Sequence, residues 1–274
     1  MGMYLGIDIG GTKTLLGVLT DDGVITEQHK FPTPKNYDDF LKELAKAVDK
    51  LSTKEFIACG LAVPGKVDRE RGLVLDMGNL TWADLPIQSD VSKITHCPVA
   101  FDNDANLAGL SEAMLLKHQY SRVLYVTIST GIGTGIIVDQ KIDPGMQDSE
   151  GGHMVLEHHG QLKIWESFAS GKAIVTRFGK QAHEITDEKT WDIIAHDIAL
   201  GLIELIAIIQ PQVIVLGGGV GASFERLETP LHKILARYST PLVPIPPIMK
   251  AQRPEEAVVY GCYDLAKSVY GKTR

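Results

Sequence analysis

The sequence predicts a mixed α/β protein built from two similar lobes. Short buried strands end in glycine turns that lead straight into a second strand, and the same strand–turn–strand unit returns roughly 120 residues later. Amphipathic helices at 3.6-residue spacing separate the strands, and no low-complexity linker divides the halves.

Taken in order, Tyr4 to Asp8 reads as a buried strand closed by Gly10-Gly11, and Thr14 to Thr20 as the strand that returns. Asp21-Asp22-Gly23 is a hairpin turn into a third strand, Val24 to Lys30, and Pro32 and Pro34 end that pattern. From Tyr37 to Leu51 the apolar residues Phe40, Leu41, Leu44, Ala47, Val48 and Leu51 fall on one helical face. Phe56 to Val63 is again strand-like and stops at Pro64-Gly65. Leu107 to Leu115 reads as a helix. In the second half, Val123 to Ser129 is an apolar strand that meets the run Thr130 to Gly135, followed by a short strand, Ile136 to Val138. Thr190 to Ile209 forms a long helix, Val213 to Leu216 a buried strand, and Gly217-Gly218-Gly219 a turn. Phe224 to Tyr238 and Glu255 to Val269 are helical in pattern, whereas the prolines of 241–247 favour a loop or an edge. The boundaries that result are a small lobe of 1–105, completed by the helix of 255–274, and a large lobe of 106–254.

Composition narrows the function. The chain has 274 residues, 44% of them apolar, and a net charge of −7. Lys and Arg are scattered, so no basic face is available for nucleic acid and small-molecule partners are expected. No apolar run approaches the twenty or so residues of a membrane span, the longest (Ile198 to Ile209) carrying Glu204. The N-terminus lacks the charged and apolar regions of a signal peptide, which makes the cytoplasm the expected location. Cys59, Cys97 and Cys262 are widely spaced, and Cys59 and Cys262 read as buried reduced thiols.

The chemistry-bearing residues fall in a few clusters. Polyphosphate requires closely approaching N–H donors, which glycine permits and Ser or Thr supplements. Three glycine turns of this kind follow buried strands: Asp8-Ile-Gly-Gly-Thr-Lys, Ser129-Thr-Gly-Ile-Gly-Thr-Gly and Leu216-Gly-Gly-Gly-Val-Gly. Singly each is weak; three in one repeated pattern are specific. The run Gly6 to Thr14 misses a Walker A motif because Thr12 stands where its lysine belongs, and no G-x-G-x-x-G opens a helix after the first strand. Asp8, at a strand end beside the first turn, could hold magnesium directly or through water, and Lys13 could offset phosphate charge; a capping acid and a solvated lysine are the plainer alternatives. Phe101-Asp-Asn-Asp-Ala-Asn places Asn103 and Asp104 between a strand and a helix, where ligands bind in α/β sheets and where an N-cap is also needed. A third cluster holds Glu150 and His153, then His158 and His159, then Glu166. Glutamates with a histidine suit a polyol's hydroxyls. A zinc set of His153, His158 and His159 lacks any neighbouring cysteine, and adjacent histidines in a polar loop are ordinarily solvated.

In order and nearly end to end, six segments resemble the ROK (repressor, open reading frame, kinase) family of sugar kinases. They are Asp8-Ile-Gly-Gly-Thr-Lys, Gly60-Leu-Ala-Val-Pro-Gly-Lys-Val-Asp, Asn103-Asp-Ala-Asn, Thr130-Gly-Ile-Gly-Thr-Gly, Glu150-Gly-Gly-His and Val213-Ile-Val-Leu-Gly-Gly-Gly-Val. The resemblance implies an actin-like ATPase fold, two RNase H-like lobes around a central cleft, and ATP-dependent phosphorylation of a hexose, at C6, with magnesium. It implies that Gly10, Gly11, Thr12, Lys13, Thr130, Gly131 and Gly133 embrace the phosphates of ATP, and that Gly217, Gly218 and Gly219 lie along the nucleotide. Gly65, Asn79, Asn103, Glu150, His153 and Glu166 would surround the sugar, and Asp104 would be the general base. Many relatives carry a cysteine-rich zinc segment after the Glu-x-Gly-His motif. Here the chain runs from Leu156 to Glu166 without cysteine, so no structural zinc is expected, and Leu162, Ile164 and Trp165 are expected to pack in its place. Ser129 stands where relatives often have glycine.

Other readings follow from the same resemblance. The family includes repressors with a helix-turn-helix, for which the first strand here begins too early. A weakly catalytic sugar sensor would have less need of Asp104, and an acetate-type kinase less need of Glu150 and His153. A kinase for an N-acetylated amino sugar fits as well as one for a plain hexose. Relatives are often homodimers, but no interface is legible in the sequence.

Overall fold

The computed structural model describes residues 2–78, 80–253 and 256–271. Asn79, one of the expected sugar ligands, lies outside the described residues. The chain divides into two compact units, 1–111 with 255–274, and 112–254.

The first unit opens with β1 (Met3–Ile9), β2 (Lys13–Thr20) and β3 (Ile25–Pro32), antiparallel neighbours joined by tight turns. Helix α1 (Tyr37–Lys50) is started by Asn36, whose side chain accepts the Asp39 N–H. It buries Phe40, Leu44, Ala47 and Val48, the stripe that the periodicity predicts. Strand β4 (Ala58–Val63) is buried at every position, as expected of a strand covered on both faces. A small pair, β5 (Lys66–Asp68) and β6 (Leu73–Asp76), precedes α2 (Ile87–Thr95), β7 (Val99–Asn103) and α3 (Asp104–Leu115). The sheet order is β3-β2-β1-β4-β7, with β4 parallel to both β1 and β7. In register, Asp8 faces Ala62 and Ala62 faces Asp102, so three parallel strands end together and place Asp8, Asn103 and Asp104 at one carboxyl edge.

The second unit repeats this plan. Strands β8 (Arg122–Ile128), β9 (Ile132–Val138) and β10 (Lys141–Ile142) are antiparallel neighbours. A hairpin follows, β11 (Val155–His158) with β12 (Gln161–Ile164), then α4 (Glu166–Ala169), α5 (Gly171–Phe178) and the long α6 (Glu188–Ile209). Strand β13 (Val213–Gly217) leads through α7 (Gly218–Gly221) and α8 (Phe224–Leu235) to β14 (Ile248–Lys250). The order β10-β9-β8-β13-β14, with β13 parallel to β8 and β14, matches the first sheet strand for strand. Its core sets Leu124, Val126 and Ile128 with Ile198 and Leu202 of α6. The chain then returns to the first unit as α9 (Ala257–Tyr270), which buries Val259, Tyr263 and Ala266 with Tyr4 and Leu19.

Two expectations change here. Strand β9 starts at Ile132, inside the glycine run, because Gly133 and Gly135 pair with Thr127 and Tyr125 in an unbroken ladder. The second turn is therefore only Ser129 to Gly131, and Gly133 belongs to a strand. The segment 155–164 is a hairpin whose turn, His159-Gly160, has positive φ at both residues.

Candidate active site

The first glycine turn is braced from below. Gly10 N–H donates to the Lys13 carbonyl at 2.9 Å, and Thr33 Oγ donates to the Gly10 carbonyl at 2.8 Å while its N–H bonds the Thr12 carbonyl. A Cβ on Gly10 would stand 2.9 Å from the Lys13 oxygen, tighter than a side chain tolerates. Gly11 is half-buried, and Thr12 and Lys13 are exposed at the tip. Thr33 carried no signal in the sequence, since one threonine between two prolines looks like any loop residue.

Asp8 lies just before this turn. Enclosure by the strand ends, then the negative charge of Asp104, push its carboxyl up from 3.8 to about 7, with Lys13 acting in the opposite sense. Asp104 begins α3, where its Oδ1 and the Oδ1 of Asn103 both accept the Ala105 N–H at 2.8 Å. Asn103 thus caps the helix and also donates from Nδ2 to the Gly65 carbonyl at 2.9 Å. The cap and site readings of this pair are compatible, because one side chain serves both the helix and the neighbouring turn. Gly65 has φ +84° and would put a Cβ 2.1 Å from the Asp76 carbonyl, so this turn requires glycine. Behind them Asp102 is buried, paired with Arg69 through Nε and Nη2 at 2.8 Å each; it also accepts from Asn103 N–H and Asn106 Nδ2. This bidentate pair fixes the strand end that presents Asp104. Arg69 is a supporting residue that the sequence did not single out.

In the second unit the turn Ser129–Gly131 is closed by a Ser129 N–H bond to the Gly131 carbonyl, and Gly171 N–H donates to the Ser129 carbonyl at 2.7 Å. Gly151 and Gly152 explain the next motif. A Cβ on Gly152 would meet the Ile132 carbonyl at 2.0 Å, and one on Gly151 would meet Thr134. The short turn carrying Glu150 and His153 can therefore lie flat on β9. Glu150 and His153 are both exposed. Glu166 starts α4 beside the same strand: its Oε2 accepts the Ile132 N–H at 3.2 Å, and its Oε1 stands 3.9 Å from His153 Nε2. Thr130, Gly131, His153 and Glu166 are thus gathered around the first residues of β9.

The expected packing of 162–165 is corrected. Trp165 is fully buried, but Leu162 is 77% exposed and Ile164 41%. Strand alternation sends Val155, Glu157, Leu162 and Ile164 to the outer face, and turns Leu156 and His158 inward. His158 is buried, not solvated as adjacent histidines were expected to be, and bonds Asp197 at 3.1 Å. His153 and His159 are exposed. Among the described residues no group of three or more His, Cys, Asp or Glu side chains could hold a metal ion by itself.

A cavity of about 480 Å³ opens beside the second turn. Ser129, Thr130, Gly171, Lys172, Gln181, His183 and Gly219 are among its lining residues. Gly217 and Gly218, which lead to Gly219, are glycines by close approach: a Cβ on Gly217 would strike the Tyr125 hydroxyl at 2.2 Å, and Gly218 has φ +77° with the Ile128 carbonyl 2.5 Å from where its Cβ would be. Gly219 has open space where a Cβ would stand. Helix α5 points its N-terminus this way, capped by Ser170, which accepts the Ala173 N–H. Lys172 and His183 were missed in the sequence, though Ser170-Gly-Lys172 at a helix start was a readable sign.

Comparison with known proteins gives one answer. Residues 4–269 match the model of the ROK family. A glucokinase of Streptomyces coelicolor is 29% identical, over 97% of this chain and 98% of its own length. An N-acetyl-D-glucosamine kinase of Haemophilus influenzae is 30% identical over 94% and 97%. Among solved structures, a ROK family glucokinase from Streptomyces griseus in complex with glucose and AMPPNP superposes with a TM-score of 0.82 at 27% identity, covering 97% of this chain and all of that one. A match that runs from the first strand into the last helix takes in both units, and the chain therefore belongs to the ROK family and has the actin-like ATPase fold of its sugar kinases.

Proposed function

We propose that this protein is an ATP-dependent sugar kinase that phosphorylates a hexose at its C6 hydroxyl, with Asp104 as the general base. The observation that carries the reading is the Asp8–Asp104 pair: two carboxylates at one sheet edge, close enough for one to raise the other, beside a glycine turn with a lysine at its tip. A base in such a position accepts the proton of the attacking hydroxyl as that oxygen reaches the γ-phosphorus of ATP, and ADP leaves with the bridging oxygen.

The donor set suits magnesium. This ion takes hard oxygen ligands, and commonly uses one or two carboxylates plus substrate phosphates in place of an all-protein cage. Asp8, directly or through water, is the residue that would hold it, and bound magnesium neutralises charge on the phosphoryl oxygens. The protein's own groups do the rest. Backbone N–H groups of Gly10 to Lys13 and of Thr130-Gly131 meet phosphate oxygens, and Lys13 adds a positive charge. The cavity lined by Lys172, His183 and Gly219 takes the nucleoside, and Gly217 and Gly218, next to Gly219 in the chain, lie along the nucleotide. Gly65, Asn79, Asn103, Glu150, His153 and Glu166 are the residues this reading assigns to the sugar hydroxyls. Positioning and fixed electrostatics supply most of the acceleration, and the base contributes about 10²- to 10⁴-fold.

A plain hexose and an N-acetylated amino sugar are both represented among the relatives, as glucokinases and N-acetyl-D-glucosamine kinases. The decisive experiment is a coupled ADP-release assay over a panel of hexoses and N-acetylhexosamines, on wild type and Asp104→Asn. Saturable turnover with at least one sugar and a loss of about 10²-fold or more in the variant is expected. Wild-type turnover that survives in Asp104→Asn would remove the base from the mechanism.

A further inference from the structure

A carboxylate inside a helix packed on a core is costly unless its oxygens are satisfied. Asp197, in the middle of α6, is buried to 95% of its surface. Its Oδ1 lies 3.1 Å from His158 Nε2 and 3.5 Å from His196 Nδ1, and its Oδ2 accepts from Arg177 Nη1 at 2.9 Å. Its backbone carbonyl accepts the indole N–H of Trp165 at 3.0 Å. One helix residue thereby ties down three segments: β11 through His158, the junction of β12 with α4 through Trp165, and α5 through Arg177.

The surrounding packing reinforces the tie. Gly201 lies one turn further along α6, and a Cβ there would stand 2.1 Å from Trp165 Cε2, so the indole rests on bare helix backbone. The His158 ring stacks on Phe168 with centroids 4.1 Å apart and planes 12° from parallel. Among the described residues its buried Nδ1 has no hydrogen-bond partner, and Nε2 is the ring's attachment to Asp197. The outer face of the hairpin carries Val155, Leu162 and Ile164 outward. Trp165 precedes Glu166 directly and Phe168 follows it by two residues, so both contacts bracket the carboxylate that stands against Ile132 N–H and His153.

We propose that Asp197 is a positioning residue for the acceptor sugar: through His158, Trp165 and Arg177 it fixes segment 155–166, and so sets where Glu166 and His153 stand. Neither side chain of the site touches Asp197. The negative charge matters as well as the shape. An amide in its place offers a single acceptor oxygen: either it gives up Arg177, or it turns an N–H to His158 Nε2, which accepts only in the tautomer that puts the proton on the buried, partnerless Nδ1. The identity of the bound molecule as a sugar rests on the kinase reading above; the anchoring does not.

The test combines hydrogen exchange with steady-state kinetics on the full chain. In Asp197→Asn, exchange of peptides within 155–166 is expected to be at least ~10-fold faster than in wild type without ligand, with peptides of 1–111 unchanged. The sugar KM is expected to rise at least ~10-fold and the ATP KM by a clearly smaller factor, since α5, which Arg177 holds to Asp197, also lines the nucleoside cavity. Arg177→Gln keeps the carboxylate and removes a partner that is half-exposed, so it gives the same signs, smaller, in a variant that folds even if Asp197→Asn does not accumulate. Glu225→Gln, which breaks an exposed ion pair with Lys250 in the same unit, is the control expected to leave both readouts alone. Wild-type exchange of 155–166 in both Asp197→Asn and Arg177→Gln overturns the proposal, as does a rise of sugar and ATP KM by one common factor. If the wild type turns over no sugar, the kinase reading fails and the exchange result alone decides whether Asp197 is the anchor.

Discussion

Asp8 shows how much one residue at this sheet edge costs the fold. Its carboxyl titrates at about 7 in the folded protein, because of its enclosure and then the charge of Asp104, against 3.8 for the free group. The folded state therefore holds the proton more tightly, and the penalty is absent below about pH 4, grows as pH rises, and is complete above about pH 7. A shift from 3.8 to about 7 corresponds to about 4 kcal/mol, an upper figure because Asp8 keeps a partly exposed face that water screens. Asp8→Asn is thus expected to be more stable than wild type at pH 8 by up to about that amount, to match it near pH 4, and to lose activity. Urea unfolding at the two pH values measures the difference, and equal stability at pH 8 would contradict the assigned cause. Asp8, Asn103 and Asp104 were legible in the sequence because each follows a run of buried strand residues, where polar side chains have no structural reason to gather. Thr33, Arg69 and Asp197 were not legible: their partners lie 23, 33 and 39 or fewer residues away in the chain, and only the folded backbone brings them together.

Elements were readable where burial is periodic, and misread where glycine or short length hid the period. Helix α1 and helix α6 carry their apolar stripes openly, and the caps Asn36 and Asp187 stand in the chain where the helices begin. Strand β9 was shortened in the sequence reading, since Gly133 and Gly135 look like turn residues although each pairs across to β8. Glycine there serves close approach: Gly152, not a larger residue, lets the turn before His153 lie on the Ile132 carbonyl. The hairpin β11–β12 was missed because eight strand residues offer too few repeats of the two-residue alternation to stand out, which is also why Leu162 and Ile164 were expected inside. The same close approach governs α9. A Cβ on Gly261 would fall 1.9 Å from the Leu107 carbonyl, and one on Gly60 1.9 Å from the Cys262 carbonyl, so helix and sheet touch backbone to backbone. Gly261→Ala must move α9 away from α3, and a loss of about 2–4 kcal/mol is expected, at the upper end of the range for overpacked cores. Thermal unfolding measures it; a melting temperature within a degree of wild type would mean that α9 shifts freely.

At the scale of the whole molecule, the repeated strand order of the two sheets is the feature that the sequence showed best, because a duplicated strand–turn–strand pattern survives in residue types even where the helices between have diverged. The chain's last helix, expected from the sequence to complete the small lobe, returns to the first unit, although the residues of 257–270 do not by themselves say which strands they cover. That return makes a prediction about how the units depend on their parts. Helix α9 buries Val259, Cys262, Tyr263 and Ala266, and Tyr263 meets Tyr4 edge-on at 5.4 Å. Loss of this face uncovers β1 and β4, a change of several buried side chains at about 1.5–3 kcal/mol each for the larger ones, which is comparable to the whole stability of a domain. The second unit has its own core around α6 and needs no residue of α9 to close it. A chain ending at residue 253 is therefore expected to keep the second unit folded and lose the first. The cysteines report this directly. Cys59, Cys97 and Cys262 all belong to the first unit, all are buried, and burial raises each thiol above its ordinary pKa, so the intact protein resists thiol reagents at pH 8. In the shortened chain Cys59 and Cys97 are expected to react within seconds to minutes, while Trp165 and Trp191, buried in the second unit, keep native fluorescence once Trp82 is replaced by Phe. Slow labelling of Cys59 in the shortened chain would mean that the sheet holds without its helix, and simultaneous loss of the tryptophan signal would mean that the second unit cannot stand without the first.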